Sequence, residues 1–226
     1  MKEYHHIQIA ILGKLLFAKR LNYAKLKPVD MENSQFTFHL GQLIAAGLVQ
    51  KDGVGIYALT LSGKNFANTI DFQNETSGHQ AKLSVVLCCK RGDEILVYKR
   101  LKNPFYGCEG FPTGKVQYGE SIVEAAQRSL KTETNLEGDA SLVGIRHYRI
   151  YGQVQQELLE DKVMYVYLID RPKGELSGNS IEEFRWINVG QKLDNPLIEY
   201  LEILRMVLEF DHRITFKEIS HYVNSF

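Results

Sequence analysis

GKVQYGESIVEAAQRSLKTETNL, residues Gly114–Leu136, is the stretch whose reading decides the fold of this chain. A glycine opens it, Glu120 follows after five intervening residues, and Arg128 follows after seven more. An amphipathic run then closes at Leu136. On a helix, side chains three and four positions apart share a face, so polar groups between Arg128 and Glu133 can converge on one site.

This frame resembles the Nudix box, G-x5-E-x7-R-E-U-x-E-E-x-G-U with U an aliphatic residue. The resemblance implies a loop-helix-loop that holds Mg2+ or Mn2+, hard cations that take oxygen ligands, together with a nucleotide diphosphate. Gly114, Glu120, Arg128, Leu130, Glu133 and Leu136 match, and Ala125 and Ala126 suit close helix packing. Ser129 and Thr132 stand where the first two of three helix glutamates are expected, and Asn135 replaces a glycine. Asparagine tolerates the left-handed backbone, so the last change is mild. The first two remove two negative charges from a site built for a divalent ion, and neutral hydroxyls do not replace them. The resemblance makes Glu133, Glu120 and Arg128 the candidate catalytic residues and Glu133 and Glu120 the candidate metal ligands. Thr113, Gly114 and Lys115, in the lead-in Phe111-Pro-Thr-Gly-Lys115, are the candidate nucleotide-binding turn. Glu124, Glu157, Glu160 and Asp161 are the acids available for compensation. An i,i+4 ion pair from Glu124 to Arg128 and solvated loop positions for the others are the simpler expectations.

Around the box the pattern is that of strands. Lys82–Cys89 is β-rich and apolar, as in a strand buried on both faces. A turn at Arg91–Asp93 leads to Glu94–Arg100. Ala140–Tyr151, Lys162–Ile169 and Ile181–Asn188 read as further strands, and Leu197–Phe210 as a helix with Leu197, Leu201, Leu204 and Leu208 along one stripe. The expectation is a Nudix α/β/α sandwich with a mixed sheet over 82–210. The tail from Asp211 is expected to form a short helix burying Ile214, Phe216, Ile219 and Tyr222.

Residues 1–75 carry a different pattern. Ile7, Ala10, Ile11, Leu15 and Leu16 predict a helix from about Tyr4 to Lys19. A short helix from Tyr23 stops near Pro28. Asn33 or Ser34 is the expected cap of a third helix whose buried stripe is Phe36, Leu40, Leu43 and Ile44, ended by Gly47. Two β-rich runs around Asp52–Gly55 make a hairpin, and Ser62 caps a closing helix. The string FTFHLGQLIAAGLVQKDGVGIYALTLSGK resembles the recognition helix and wing of metalloregulator-like winged-helix repressors, which implies a winged helix-turn-helix domain. Gln35 and Thr37 are then the candidate base readers, and Lys19, Arg20, Lys25 and Lys51 the candidate phosphate contacts. Asn33–Gly47 contains no Lys or Arg, however, and major-groove readers and phosphate contacts favour such residues. Exposed Phe38 suits a protein-contact patch.

The 226-residue length favours two domains, with boundaries expected at 1–75, a linker at 76–81 and 82–226. Lys plus Arg and Asp plus Glu both number 27, so net charge points to no polyanionic partner. Cys88, Cys89 and Cys108 lack metal-ligand spacing, and an odd count argues against a disulfide framework. With no signal-peptide pattern and no bilayer-length apolar run, a cytoplasmic protein without membrane contact is expected. The leading reading is a regulator in which a degenerate Nudix domain senses a nucleotide or nucleoside-diphosphate derivative and a winged helix responds through DNA or a homodimer contact. The alternatives are a Mg2+-dependent hydrolase of a nucleoside diphosphate linked to another moiety, and a protein-interaction module.

Overall fold

The computed structural model describes residues 4–71, 76–77, 80–177 and 182–224. The chain divides into two compact units, Met1–His79 and Gln80–Phe226. The connector expected at 76–81 falls partly outside the described residues. What is described of it is a hairpin in which β4 (Ile70–Asp71) pairs with β5 (Thr76–Ser77).

The first unit runs α1 (His6–Leu16), β1 (Leu21–Asn22), α2 (Tyr23–Leu26), α3 (Asn33–Ala45), β2 (Val49–Lys51), β3 (Ile56–Leu59) and α4 (Leu61–Ala67). The three strands before α4 form an antiparallel sheet in the order β1-β3-β2. Ile7, Ile11, Leu12 and Leu15 of α1 meet Phe36, Leu40 and Leu43 of α3 in one core. Ala10, expected inside, is exposed, and Leu12 takes the buried place. α3 ends where Gly47 adopts φ +70°, a conformation that costs glycine little. The caps differ from expectation. Glu32 is the N-cap of α3 and makes no side-chain cap bond. Thr60, not Ser62, caps α4, accepting from Gly63 N at 2.9 Å.

The second unit contains β6 (Lys82–Arg91), β7 (Glu94–Arg100), β8 (Glu109–Gly110), β9 (Thr113–Lys115), α5 (Ile122–Thr134), β10 (Ala140–Gly152), β11 (Leu158–Asp170), β12 (Glu182–Asn188), α6 (Tyr200–Leu208) and β13 (Thr215–Val223). Ile181, expected in β12, lies outside the described residues. The mixed sheet has the order β12-β7-β6-β11-β10-β13, with β8 on β7 and β9 on β6. β6/β11 and β10/β13 are parallel, and the other pairs are antiparallel. Alternation along β6 feeds two cores. Val86 and Cys88 pack with Tyr200, Ile203 and Val207 of α6 on one face. Val85, Leu87 and Cys89 pack with Ala125, Ala126 and Leu130 of α5 on the other. The sheet is therefore sandwiched between helices, and the two adjacent thiols point to opposite faces, as period two requires.

Two expectations near the C-terminus fail. α6 starts at Tyr200 and buries Tyr200, Ile203 and Val207, while Leu201 is 66% exposed and Leu208 is also outward. Of the expected leucine stripe, Leu197 is buried ahead of the helix and Leu204 packs against the core, while Leu201 and Leu208 lie one position out of phase with the face that the sheet covers. The tail is a strand, β13, with Phe216 65% and Tyr222 53% exposed. Its β-branched and aromatic residues suit an extended edge, and β10 offers it a free ladder from Gly144 to Gly152.

Candidate functional site

Gly114–Leu136 folds as a strand end, a loop and the helix α5. Ser121 and Glu124 form a capping box at its N-terminus: Ser121 Oγ accepts from Glu124 N, and Glu124 Oε2 accepts from Ser121 N at 2.9 Å. Glu124 is thus a capping residue, and the ion pair expected between it and Arg128 gives way to another. Arg128 reaches Glu120 instead, with Nε donating to Oε1 at 2.6 Å and Nη2 to Oε2 at 2.9 Å. The same Nη2 donates to the Lys115 carbonyl at 2.8 Å. One guanidinium therefore ties the end of β9 to the loop before the helix, using the fork geometry that suits Arg to this task. Hydrogen bonds from Arg128 and from the Gln117 amide hold the Glu120 carboxyl down at about 2. At the other end of α5, Asn135 adopts φ 60° and takes the left-handed cap expected of it.

Ser129 is fully buried, and its Oγ has no hydrogen-bond partner. It packs against Gly114, where an added Cβ would lie 1.8 Å from that oxygen. Thr132 is exposed, and Glu133, half-buried, is the box glutamate that reaches a cleft. This cleft has a volume of about 740 Å³, within the range of small-molecule sites. It brings together Thr113, Gly114, Lys115, Arg128 and Glu133, while Glu120 is not among its lining residues.

The rest of the lining comes from strands and loops that carry no box motif. Lys162 Nζ lies 2.8 Å from Glu199 Oε1 and 3.3 Å from Glu160 Oε2, and Lys82 Nζ lies 3.0 Å from Glu160 Oε1. Burial opposes the charge on Lys162, but Glu199 and Glu160 outweigh it and hold the pKa above its ordinary value. Burial likewise opposes ionisation of Glu160, and Lys162 and Lys82 outweigh it and pull its pKa down. Glu160 and Asp161, expected in a solvated loop, belong to β11: Glu160 sits in the cleft, and Asp161 bonds His147 Nε2 at 2.7 Å. Lys102 and Glu182 face each other at 3.7 Å, and Arg100 Nε holds the adjoining loop through the carbonyls of Lys102 and Pro104. Among the described residues, six cations (Lys82, Arg100, Lys102, Lys115, Arg128, Lys162) and four carboxylates (Glu133, Glu160, Glu182, Glu199) line the cleft. The signal for Lys82 and Lys162 was visible in the sequence: Lys82 heads an apolar strand, Lys162 stands directly before the apolar run of β11, and each has core-facing parity. Glu199 had no such signal.

The donors do not fit the divalent-ion site implied by an intact box. Ser129 is sealed beneath Gly114, Thr132 faces solvent, and Glu120 is engaged by Arg128. Among the described residues no three His, Cys, Asp or Glu side chains converge as metal ligands.

In the first unit, Gln35 and Thr37 are exposed on α3, and Thr37 Oγ1 hydrogen-bonds Tyr23 Oη at 3.0 Å. Lys19 and Arg20 precede β1, Lys25 lies on α2 and Lys51 on β2. Arg20 faces Asp52 at 3.7 Å. Phe38 is 61% exposed. No helix among the described residues is long and apolar enough to cross a membrane.

Comparison with known proteins agrees with the architecture of the second unit. The chain is 27% identical over 175 residues to an ADP-ribose pyrophosphatase of Methanocaldococcus jannaschii, covering 75% of this chain and 93% of that protein. Among solved structures, a MutT protein from Bacillus halodurans superposes with a TM-score of 0.55 at 20% identity, covering 64% of this chain and 93% of the other. The NUDIX domain of Shewanella oneidensis NrtR complexed with ADP ribose gives 0.51 at 17% identity, covering 67% and 98%. The family model for the NUDIX domain matches residues 78–204, more than half of the chain, which therefore belongs to the NUDIX domain family.

Proposed function

We propose that the second unit is a Nudix-type hydrolase site for a nucleoside diphosphate linked to another moiety, with ADP-ribose as the model substrate. The supporting observation is the cleft in which the turn Thr113–Lys115, the cation Lys115 and the carboxylate Glu133 come together. The named activity of the archaeal relative favours hydrolysis over sensing alone. In this reading Lys115 and the backbone at Gly114 hold the diphosphate, while Arg128 keeps that turn in place through the Lys115 carbonyl. Glu133 takes a proton from the attacking water as its oxygen bonds to one phosphorus. The bridging P–O bond breaks, and the departing phosphate keeps the bridging oxygen. The test is release of AMP and a sugar phosphate from ADP-ribose, measured with and without Mg2+ or Mn2+. Turnover that Glu133→Gln abolishes supports the reading; absence of turnover, or turnover indifferent to Glu133→Gln, overturns it.

For the first unit we propose a winged helix-turn-helix domain whose α3 meets DNA, because Gln35 and Thr37 lie exposed on the helix that leads into the β2–β3 hairpin. Titration with the gene's own upstream sequence at two salt concentrations should show weaker binding at high salt if Lys19, Arg20, Lys25 and Lys51 displace counterions. Salt-independent or absent binding would leave Phe38 as a protein-contact site.

A further inference from the structure

In an intact box, carboxylates concentrate negative charge, and a divalent ion must neutralise them before a dianionic diphosphate can bind. Here the balance is different. Six cations and four carboxylates line the cleft among the described residues, and Arg128, one of the six, is paired with Glu120, which lies outside the lining, so one cation is in excess. Ser129 and Thr132 put no carboxylate beside Glu133, and neither of them lines the cleft. Glu160 and Glu199 lie within salt-bridge distance of Lys162, and Glu182 faces Lys102. Lys115 has no ion pair among the described residues and stands on the turn itself.

We infer that this cleft binds the diphosphate of its ligand without a divalent metal, the cations of its own lining meeting the negative charge where no three carboxylates or other metal-ligating side chains converge among the described residues. The inference rests on the proposed diphosphate site and deepens it: ligand affinity is independent of Mg2+, and Lys115 on the turn carries it.

The experiment measures binding of ADP-ribose and of inorganic pyrophosphate by calorimetry, in EDTA and in excess Mg2+, for the full chain and its Lys115→Ala variant. The wild-type affinity should be the same in both buffers to within about twofold. Lys115→Ala, at an exposed position, should weaken binding roughly tenfold or more in both, the scale of one charge-assisted contact. Wild-type binding that disappears in EDTA, or binding that Lys115→Ala leaves unchanged, overturns the inference. Pyrophosphate bound without ADP-ribose overturns the substrate reading and leaves the charge inference standing; neither ligand bound in either buffer overturns both.

Discussion

Ser129 Oγ occupies the space that a side chain on Gly114 would need, 1.8 Å from the position of the absent Cβ. The first residue of the box is thus glycine because the helix packs its Ser129 face onto the strand end, with backbone against side chain. Gly114→Ala should destabilise the second unit by about 1–3 kcal/mol through overpacking, read as a lower urea midpoint. Ser129→Gly in the same chain should recover part of the loss. Ser129→Ala alone should be neutral or stabilising by about 1 kcal/mol, since it removes a buried hydroxyl without a partner.

The bond between Arg128 and Glu120 has a definite pH window. Glu120 is depressed from 4.5 to about 2, chiefly by the Arg128 hydrogen bonds. A depressed carboxyl contributes stability above its unfolded pKa and loses it as pH falls through the folded value. The loop between Gly114 and Ser121 should therefore hold at neutral pH and loosen as pH drops from 4.5 toward 2. Faster exchange of the Gln117 amide, which donates to Glu120 Oε2 at 3.0 Å, reports this directly. Glu120→Gln should show the loosened loop at every pH.

Lys162 is the residue on which the floor of the cleft depends. Lys162→Met leaves Glu199 buried without its ammonium and should cost about 3–5 kcal/mol. Replacing Glu199 by Gln in the same chain should return a large part of that loss. Equilibrium denaturation of the two variants checks it: equal losses in both would mean that the packing of Lys162, not its charge, matters.

His39 sets a pH response of the same sign, in a higher window, in the first unit. Burial lowers its pKa from 6.5, helped by His5 and His6 at the N-terminus of α1, while Gln42 on its own helix opposes the shift. His5 stacks on His39 with ring centroids 4.4 Å apart. Stability is full above the unfolded value of 6.5 and is lost as pH falls below it toward the lowered folded value. Melting of this unit should drop between about pH 7.5 and pH 5.5, and His39→Phe should flatten the profile.

How much of this was legible depended on range. The box was readable because its constraints are local: spacing along one helix places Arg128 and Glu133, and the same periodicity identifies the two substituted positions. The strands of the sheet were readable from apolar runs, and Asn135 from its tolerance of left-handed backbone. Reading failed where the partner lay far along the chain. Arg128 had two acidic candidates in the sequence, Glu124 one turn away on the helix and Glu120 in the loop. The capping demand of Ser121 took the first and left it the second. Lys162 and Glu199 are 37 residues apart, and no periodicity joins them. The phase of α6 and the strand form of Thr215–Val223 followed from which edge and face the sheet left open.

By itself, then, the sequence determined the NUDIX framework and the loss of two carboxylates, because both are written in local spacing and residue type. Only the tertiary structure decided that Ser129 is sealed under Gly114, that Glu120 is engaged by Arg128, and that Lys162 and its two glutamates share the floor of one cleft. Those relationships arise when strands and a helix distant in sequence pack together, and desolvation at their junction then determines which charges must pair.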